Sequence, residues 1–365
     1  MSLLVQEFTI YSSLQELLEL SQLLKISQRN LECGGMENIR TTPTWVWFLL
    51  VSAVFGVSSA GALFQQVDDI PPLLRASWRL QLTSLVLAPF AIYQWKNIGS
   101  EIKDQMYQKN TILWLIAGGT ALALHFGSWV TSLDETSLTH SLLFVTAHPL
   151  IIIVGMVILA RFLITLRKPT KKEIIGACIG FTGAVIALLD QGHQQGDHTV
   201  TLWGDFLAFM GAVFVVGYFV SGRVLRQWMP IFIYAFIVTL ISAILLIPAS
   251  WAIESEFSQY GVFGWLDDEF LPWFLALALI AGILGHTGLN TCLRYTSPLV
   301  ISTSVTMEPI LGSIIGFIIF NEGLPGFWTW IGGPILVIGI ILVVIGAPEE
   351  NTNNQNLQHQ RAVEE

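Results

Sequence analysis

Two ionisable side chains stand directly before prolines inside long apolar stretches: His148 before Pro149 and Glu308 before Pro309. A proline has no backbone N–H, so each one frees the carbonyl four residues earlier, at Val145 and Val305. Backbone left open at membrane depth is tolerated only where it is buried in protein or faces a cavity. Glu308 therefore reads as a proton carrier or a solute contact, with a structural partnership to a buried arginine as the alternative. His148 reads as a second proton-coupling and solute-binding candidate, because imidazole suits proton exchange near neutral pH; a plain packing role is its alternative.

Two arginines, Arg75 and Arg79, lie one helical turn apart in another apolar stretch, where the corresponding places in the second half of the chain hold Ile233 and Ile237. A charge deep in a bilayer costs about 2.5–3.5 kcal/mol even on insertion scales, so it faces a cavity or a partner. Arg75 is near enough to the end of its stretch to snorkel outward. Arg79 is two turns in. It is placed to anchor an anionic or carboxylate solute, or else to pair with Glu308 or another acid. His125 with Trp129, and His286 with Asn290, are each four apart and so share a helix face. Trp129 and Asn290 are candidates to shape and hydrogen-bond a solute, while the histidines serve equally well as links between helices.

These residues sit within a stretch that occurs twice. HFGSWVTSLDETSLTHSLLFVTAHP runs from His125 to Pro149, and HTGLNTCLRYTSPLVISTSVTMEP from His286 to Pro309, intervals of 24 and 23 residues that one insertion near Asp134 reconciles. The repeat extends further. Ala53-Val54-Phe55 matches Ala212-Val213-Phe214, and Gly176 with Gly183 match Gly332 with Gly339. Gly332 with Gly339, and Gly312 with Gly316, read as close helix packing without chemistry.

The chain that must position them is a membrane protein. Of its 365 residues 53% are hydrophobic and 12% charged, against about 25% charged in soluble domains. Three cysteines at unrelated spacings (Cys33, Cys178 and Cys292) exclude a disulfide framework and a cysteine metal site. Ten apolar stretches of spanning length fall at roughly 45–64, 72–95, 111–132, 139–160, 174–190, 202–221, 230–251, 272–293, 298–320 and 327–347. Residues 1–40 read as a polar cytosolic lead, in which a short amphipathic helix is one option, and 348–365 as a disordered cytosolic tail. With the N-terminus cytosolic, fifteen of the seventeen Lys and Arg fall on the cytosolic side and the other two are Arg75 and Arg79. The opposite loops carry Asp68, Asp69, Asp134, Glu135, Asp197 and the acidic run from Glu254 to Glu269. Ten spans split into two groups of five, 41–190 and 191–347, and an odd number forces the second copy to insert upside down. The expected fold is an all-α integral membrane protein of ten transmembrane helices arranged as two inverted five-helix repeats, the layout of secondary transporters.

The residues also resemble the EamA-type branch of the drug/metabolite transporter superfamily. GDFLAFMGAVFVVGYFVSGRVL from Gly204, the run from Met307 to Gly346, and PPLLRASWRLQLTSLVLAPF from Pro71 with Arg79 at a recurrent arginine carry the likeness, which covers about 45–347. The resemblance implies a solute cavity lined by spans one to four and six to nine, with spans five and ten as peripheral supports. Two departures stand out. Glu322 follows Pro309 by 13 residues, where the first copy has Phe162 beside Arg161, and about four extra residues precede Gly176.

The expected function is secondary transport, by gradient or exchange, of a small polar metabolite through alternating access, with Arg79, Trp129, His148, Asn290 and Glu308 as solute contacts. No ATP-binding G-x-x-x-x-G-K-[ST] is present, and neither is H-E-x-x-H or G-x-S-x-G, so an enzyme is not expected. Asp205, at the start of span six, reads as a partner for the helix dipole. The alternative is a non-transporting receptor or scaffold on a carrier fold. No cofactor, metal or nucleic-acid partner is expected; the partners are the solute, the bilayer and a second copy docked through peripheral helices.

Overall fold

The computed structural model describes residues 42–136, 138–162, 168–189, 201–320 and 326–347, all of whose regular elements are helices. The amphipathic lead, the tail, Asp197 and Glu322 lie outside the described residues. The chain divides into two compact units. The larger, Thr42–Ile152 with Thr170–Pro348, contains every contact discussed below; the other takes in Ile153–Pro169, whose described part is mainly the second half of one helix.

In chain order the helices are α1 (Thr44–Ser58), α2 (Ala60–Gln65), α3 (Pro72–Asn97), α4 (Ser100–Met106), α5 (Lys109–Glu135), α6 (Leu138–Val145), α7 (His148–Phe162) and α8 (Lys171–Leu188). They continue with α9 (Leu202–Leu225), α10 (Ile231–Ile253), α11 (Phe257–Tyr260), α12 (Leu271–Ala276), a π-helical stretch (Leu277–Thr287), α13 (Gly288–Cys292), α14 (Pro298–Val305), α15 (Glu308–Phe320) and α16 (Phe327–Gly346). Eight stretches among the described residues are long and apolar enough to cross a membrane, running from Thr44–Gln65 to Phe327–Gly346. Two further helices, α3 and α8, are not among them. The first carries Arg75, Arg79 and Lys96, and the second opens on Lys171-Lys172-Glu173.

Local chemistry explains where the helices start. Pro72 and Pro298 occupy the first turns of α3 and α14, where the missing N–H would have no helical partner anyway. The Ser297 hydroxyl accepts from the Val300 N–H at 3.3 Å. Thr170 and Glu173 form a reciprocal capping box on α8, and Thr201 accepts from the Gly204 N–H at 3.0 Å. The interruptions between α6 and α7 and between α14 and α15 fall immediately before His148-Pro149 and Glu308-Pro309. Around each break the backbone tightens to three-residue turns: Ala147 N–H bonds to Phe144 C=O and Met307 N–H to Ser304 C=O, both at 3.2 Å. The proline-broken helices expected from the sequence are present at both sites.

Packing inside the larger unit follows a regular scheme. The π-helical stretch lies against α1, α9 against α5, α10 against α3, and α16 against α8. The last pair is the tightest. A side-chain carbon at Gly183 would stand 2.5 Å from the Leu336 N and 2.8 Å from the Gly332 O, and one at Gly176 would stand 2.8 Å from the Gly339 O. The two backbones touch, and only glycine permits it. Ala184, Ala187, Ile310 and Leu336 fill the groove beside this seam.

The long connection after α10 folds onto α3. Gly261 adopts φ +71°, a turn that suits a residue without Cβ, and its carbonyl accepts from Trp78 Nε1 at 3.2 Å. Trp265 Nε1 donates to Gln81 Oε1 at 3.0 Å, and Tyr260 donates to the Asp69 carbonyl at 3.1 Å. Trp78, fully buried, is surrounded by Tyr260, Phe270 and Phe274. This strap therefore grips the same helix that carries Arg79.

The glycine seam makes a stability prediction. Replacing Gly339 with Leu drives a side chain into the backbone of α8 and costs at least about 1–3 kcal/mol, whereas Gly61→Ala, with open space around it, costs no more than about 1 kcal/mol. Thermal unfolding of the detergent-solubilised variants, followed by size-exclusion chromatography, reads both. Equal melting temperatures for Gly339→Leu and wild type would show that the seam does not carry the packing assigned to it.

Candidate functional site

A small cavity of about 40 Å³ lies among the helices that carry the repeated stretch. Arg79, His125, Trp129, His148, His286 and Glu308 line it, with apolar surface from Val57, Val215, Phe219 and Leu289. Val145 and Val305 line it too. These are the residues whose carbonyls lose their helical donors to Pro149 and Pro309, so both helix breaks open on one space. A water needs roughly 10–15 Å³ on this measure, which makes the enclosed state roomy enough for a few waters and too tight for a large solute.

Arg79 is the anchor of the site. It sits on α3 and is 1% exposed. Its guanidinium lies 4.3 Å from the centroid of the Phe126 ring and 5.6 Å from that of Phe64, within the range where a ring face attracts a cation. Its Nη1 is buried without a hydrogen-bond partner. Glu308 lines the same cavity, yet the two are not within ion-pair distance, and no described carboxylate is within 4.0 Å of Arg79. The ion pair offered as one reading of Arg79 is therefore not formed in this structure.

Matched residues of the two repeated stretches come together at the cavity. The His125 and His286 rings lie 6.5 Å apart, and His125 stacks on Trp129 at 6.0 Å with 9° between planes. His125 Nδ1 is fixed by the Gly211 carbonyl of α9 at 2.9 Å. Trp129 Nε1 and His286 Nδ1 are buried and have no partner. His148 Nδ1 bonds to Ser302 Oγ at 2.7 Å, which ties the head of α7 to α14. Such cross-links are what polar side chains supply between helices in lipid.

Three sequence readings change in the structure. Arg75 does not snorkel outward. It is 1% exposed, and its Nη2 pairs with Asp134 at 2.6 Å, because α5 runs three residues beyond its expected end and brings that carboxylate alongside. Asn290 is not among the residues lining the cavity. Its Nδ2 donates to Tyr218 Oη and to the His286 carbonyl, so it acts on the site by holding His286 and α9 in place. Asp205 is more than a dipole partner, since its carboxylate accepts from Thr136 Oγ1 at 2.9 Å and joins α9 to the end of α5.

Sequence reasoning passed over Phe64, Phe126 and Tyr218. Phe126 was within reach, lying inside the repeated stretch next to His125, but an aromatic in an apolar helix carries no mark of the cation it faces. The π-helical winding of Leu277–Thr287 had no sequence signal either. Such windings are frequent at functional sites, and this one carries His286.

Comparison with known proteins decides the family. The model of the EamA-like transporter family matches twice, over residues 43–189 and 202–345. The chain belongs to the EamA-like transporter family. It is therefore a multi-pass membrane protein of the drug/metabolite transporter superfamily. A solved structure, described only as the crystal structure of a protein, superposes on this EamA chain with a TM-score of 0.64 at 17% identity, over 83% of this chain and 98% of the other. That likeness is one of fold. No curated protein matches the sequence.

A second hollow in the EamA chain, about 430 Å³ and open to the outside, lies at the start of α3. Asp68, Asp69, Asp134, Glu135, Glu254 and Glu256 line it. Glu254, directly after α10, accepts from the Leu73 N–H at 2.5 Å, the Leu74 N–H at 3.0 Å and the Ser250 hydroxyl at 2.5 Å. It thus caps the N-terminus of α3. Burial pushes its carboxyl above the usual range, against the opposing pull of those donors and of Arg75. The sign follows directly. Relative to the unfolded chain the folded state favours the protonated form, so this contribution to stability is full below the unfolded pKa and is lost as pH rises through the raised value. Melting temperature measured from about pH 4 upward should decline more in wild type than in Glu254→Gln, which cannot ionise. Parallel curves for the two proteins would remove Glu254 as a source of the pH dependence.

Proposed function

We propose that this EamA-family chain is a secondary carrier of a small polar metabolite, working by alternating access around the cavity that holds Arg79 and Glu308. The observation that carries the reading is that three residues lining one enclosed space each hold a buried polar atom without a hydrogen-bond partner: Arg79 at Nη1, Trp129 at Nε1 and His286 at Nδ1. The first two can only donate, and the third donates or accepts according to its tautomer. Each unsatisfied buried group costs about 1–3 kcal/mol. A site that leaves such groups open is built for a ligand that brings the acceptors. We assign Arg79, Trp129, His148 and Glu308 as solute contacts, Asn290 as the support of His286, and Glu308 with His148 as the groups for proton coupling.

Several observations support two inverted five-helix repeats, 41–190 and 191–347, with α3 and α8 completing ten spans. Exchanging the halves maps the contact of α1 with the π-helical stretch onto that of α9 with α5, and the contact of α6 with α8 onto that of α14 with α16. The pairs α3–α10 and α8–α16 map onto themselves. The family match also falls in two blocks. On this reading α8 and α16 are the peripheral supports, and a second copy would dock there. The charge distribution supports cytosolic termini, with the acidic hollow on the opposite side.

Counterflow into proteoliposomes tests transport. A saturable exchange signal from wild type should fall by about 10–100-fold in Arg79→Ala, the loss expected for about 1.5–3 kcal/mol of charge-assisted hydrogen bonding. Arg79→Lys, which keeps the charge without the planar fork, should fall between the two. Undiminished exchange by folded Arg79→Ala would move the solute site elsewhere. Solute binding without any exchange would favour a receptor on a carrier fold.

A further inference from the structure

The packed helices α3 and α10 each follow a proline. Pro71 precedes α3 and Pro230 precedes α10, and neither offers a side-chain oxygen to cap the helix it opens. The first N–H groups of such a helix need an acceptor from elsewhere. In both cases it comes from the far end of the other helix. Glu254, directly after α10, accepts from the Leu73 N–H at 2.5 Å and the Leu74 N–H at 3.0 Å. Gln94, in the last turn of α3, accepts through Oε1 from the Phe232 N–H at 2.9 Å and the Ile233 N–H at 3.3 Å. The two antiparallel helices are clasped at both ends by the same device.

The clasps differ in chemistry, a carboxylate at the start of α3 and an amide at the start of α10. The repeat does not impose this difference. With Arg75 matched to Ile233, the counterpart of Glu254 is Lys96, which is exposed, and Gln94 two residues earlier takes its place. We infer that the pair is a one-sided latch: the start of α3 is held or released by pH on its own side of the membrane, and the start of α10 does not respond to pH on the other. Arg79 lies six residues beyond Leu73, less than two turns, so a loosened start of α3 reaches a residue that lines the cavity. The latch's effect on exchange rests on the carrier reading above, and the side that each end faces rests on the orientation proposed with it.

Glu254 is held among charges of its own sign. Glu256 on its own segment, Asp68 and Asp69 ahead of α3, and Asp134 and Glu135 at the end of α5 line the same hollow. The cation facing it, Arg75 of α3, is already paired with Asp134. A neutral carboxyl can still serve the clasp. It keeps an acceptor oxygen for the backbone and can turn its proton toward Ser250 Oγ, which in the structure donates to Glu254 at 2.5 Å. Released into water, the carboxylate is instead fully solvated. Burial pushes the held carboxyl above the usual range, against the smaller pull of Ser250, the two N–H groups and Arg75. The clasped form therefore binds the proton more tightly than the released form. The clasp is strongest below the ordinary carboxylate pKa and loosens as pH rises through the raised value. The amide of Gln94 has no proton to lose in this range.

Amide hydrogen exchange of the full-length protein in lipid nanodiscs reads the latch without any solute. After correction for the chemical exchange rate, protection of Leu73 and Leu74 in wild type should fall as pH rises from about 4. The fall should be about threefold for each half unit by which the carboxyl is raised. Phe232 and Ile233 should keep their protection throughout. Glu254→Gln should make Leu73 and Leu74 equally indifferent to pH, and Gln94→Glu should bring pH dependence to Phe232 and Ile233. Protection at Leu73 and Leu74 that ignores pH in wild type overturns the inference, as does an equal fall in folded Glu254→Gln. Proteoliposomes with pH varied on one side then test control of transport. Counterflow by wild type should respond on the side of Glu254, and counterflow by Glu254→Gln should not. Protection that moves while wild-type exchange ignores that pH overturns the control of transport. Protection that moves in a protein that exchanges no solute upholds the latch and overturns the carrier reading instead.

Discussion

Everything at the centre of this protein is arranged around one buried cation. Arg79 lies in an apolar helix and is almost wholly shielded from bulk solvent. A free guanidinium there would be expensive, and the structure answers part of that cost. The ring faces of Phe126 and Phe64 supply a permanent, weak counter-field. The remaining demand, at Nη1, is unmet by any protein group. A full ion pair with Glu308 would meet it, but the two line the same cavity without coming within ion-pair distance.

The surrounding helices differ sharply in how their backbones are used. At the α8–α16 seam, glycines bring two backbones into contact. At the two proline breaks the opposite holds, because the helices are interrupted beside the cavity and the local bonding has already shifted to tighter turns. Both breaks are written into the sequence, since Pro149 and Pro309 remove donors that no conformational change can restore.

Much of this was legible before any coordinates. The repeated stretch, the proline breaks, the close glycine packing and the depth of Arg79 all follow from residue type and spacing, because each rests on backbone chemistry or on the cost of charge in lipid. What could not be read were relations between residues distant in sequence. Arg75 looked like a snorkelling side chain because its depth was judged along its own helix, and nothing local announced Asp134 from 59 residues away. Asn290 looked like a solute contact because it shared a face with His286. A face only becomes a wall or a support once the neighbouring helix is placed, and Tyr218 takes the Asn290 amide. The count of spans shows the same limit. Eight stretches satisfy length and apolarity, and α3 falls short for the reason that makes it central, the arginines it carries.

The N-terminal end of α3 shows how the same helix serves two purposes. Arg75, one turn from Arg79, is paired to Asp134 of α5, and the first turn of α3 is capped by Glu254 from the end of α10. One turn beyond Arg75, Trp78 is held by the strap that follows α10. Parting α3 from α5, from α10 or from the strap would expose a charge or a hydrogen-bonding group that these contacts satisfy, and the carboxylates of the acidic hollow stand next to them. The contacts that fix the start of α3 and the ring faces that hold Arg79 are thus strung along a single helix, so the position of the buried guanidinium depends on how that helix is capped and gripped.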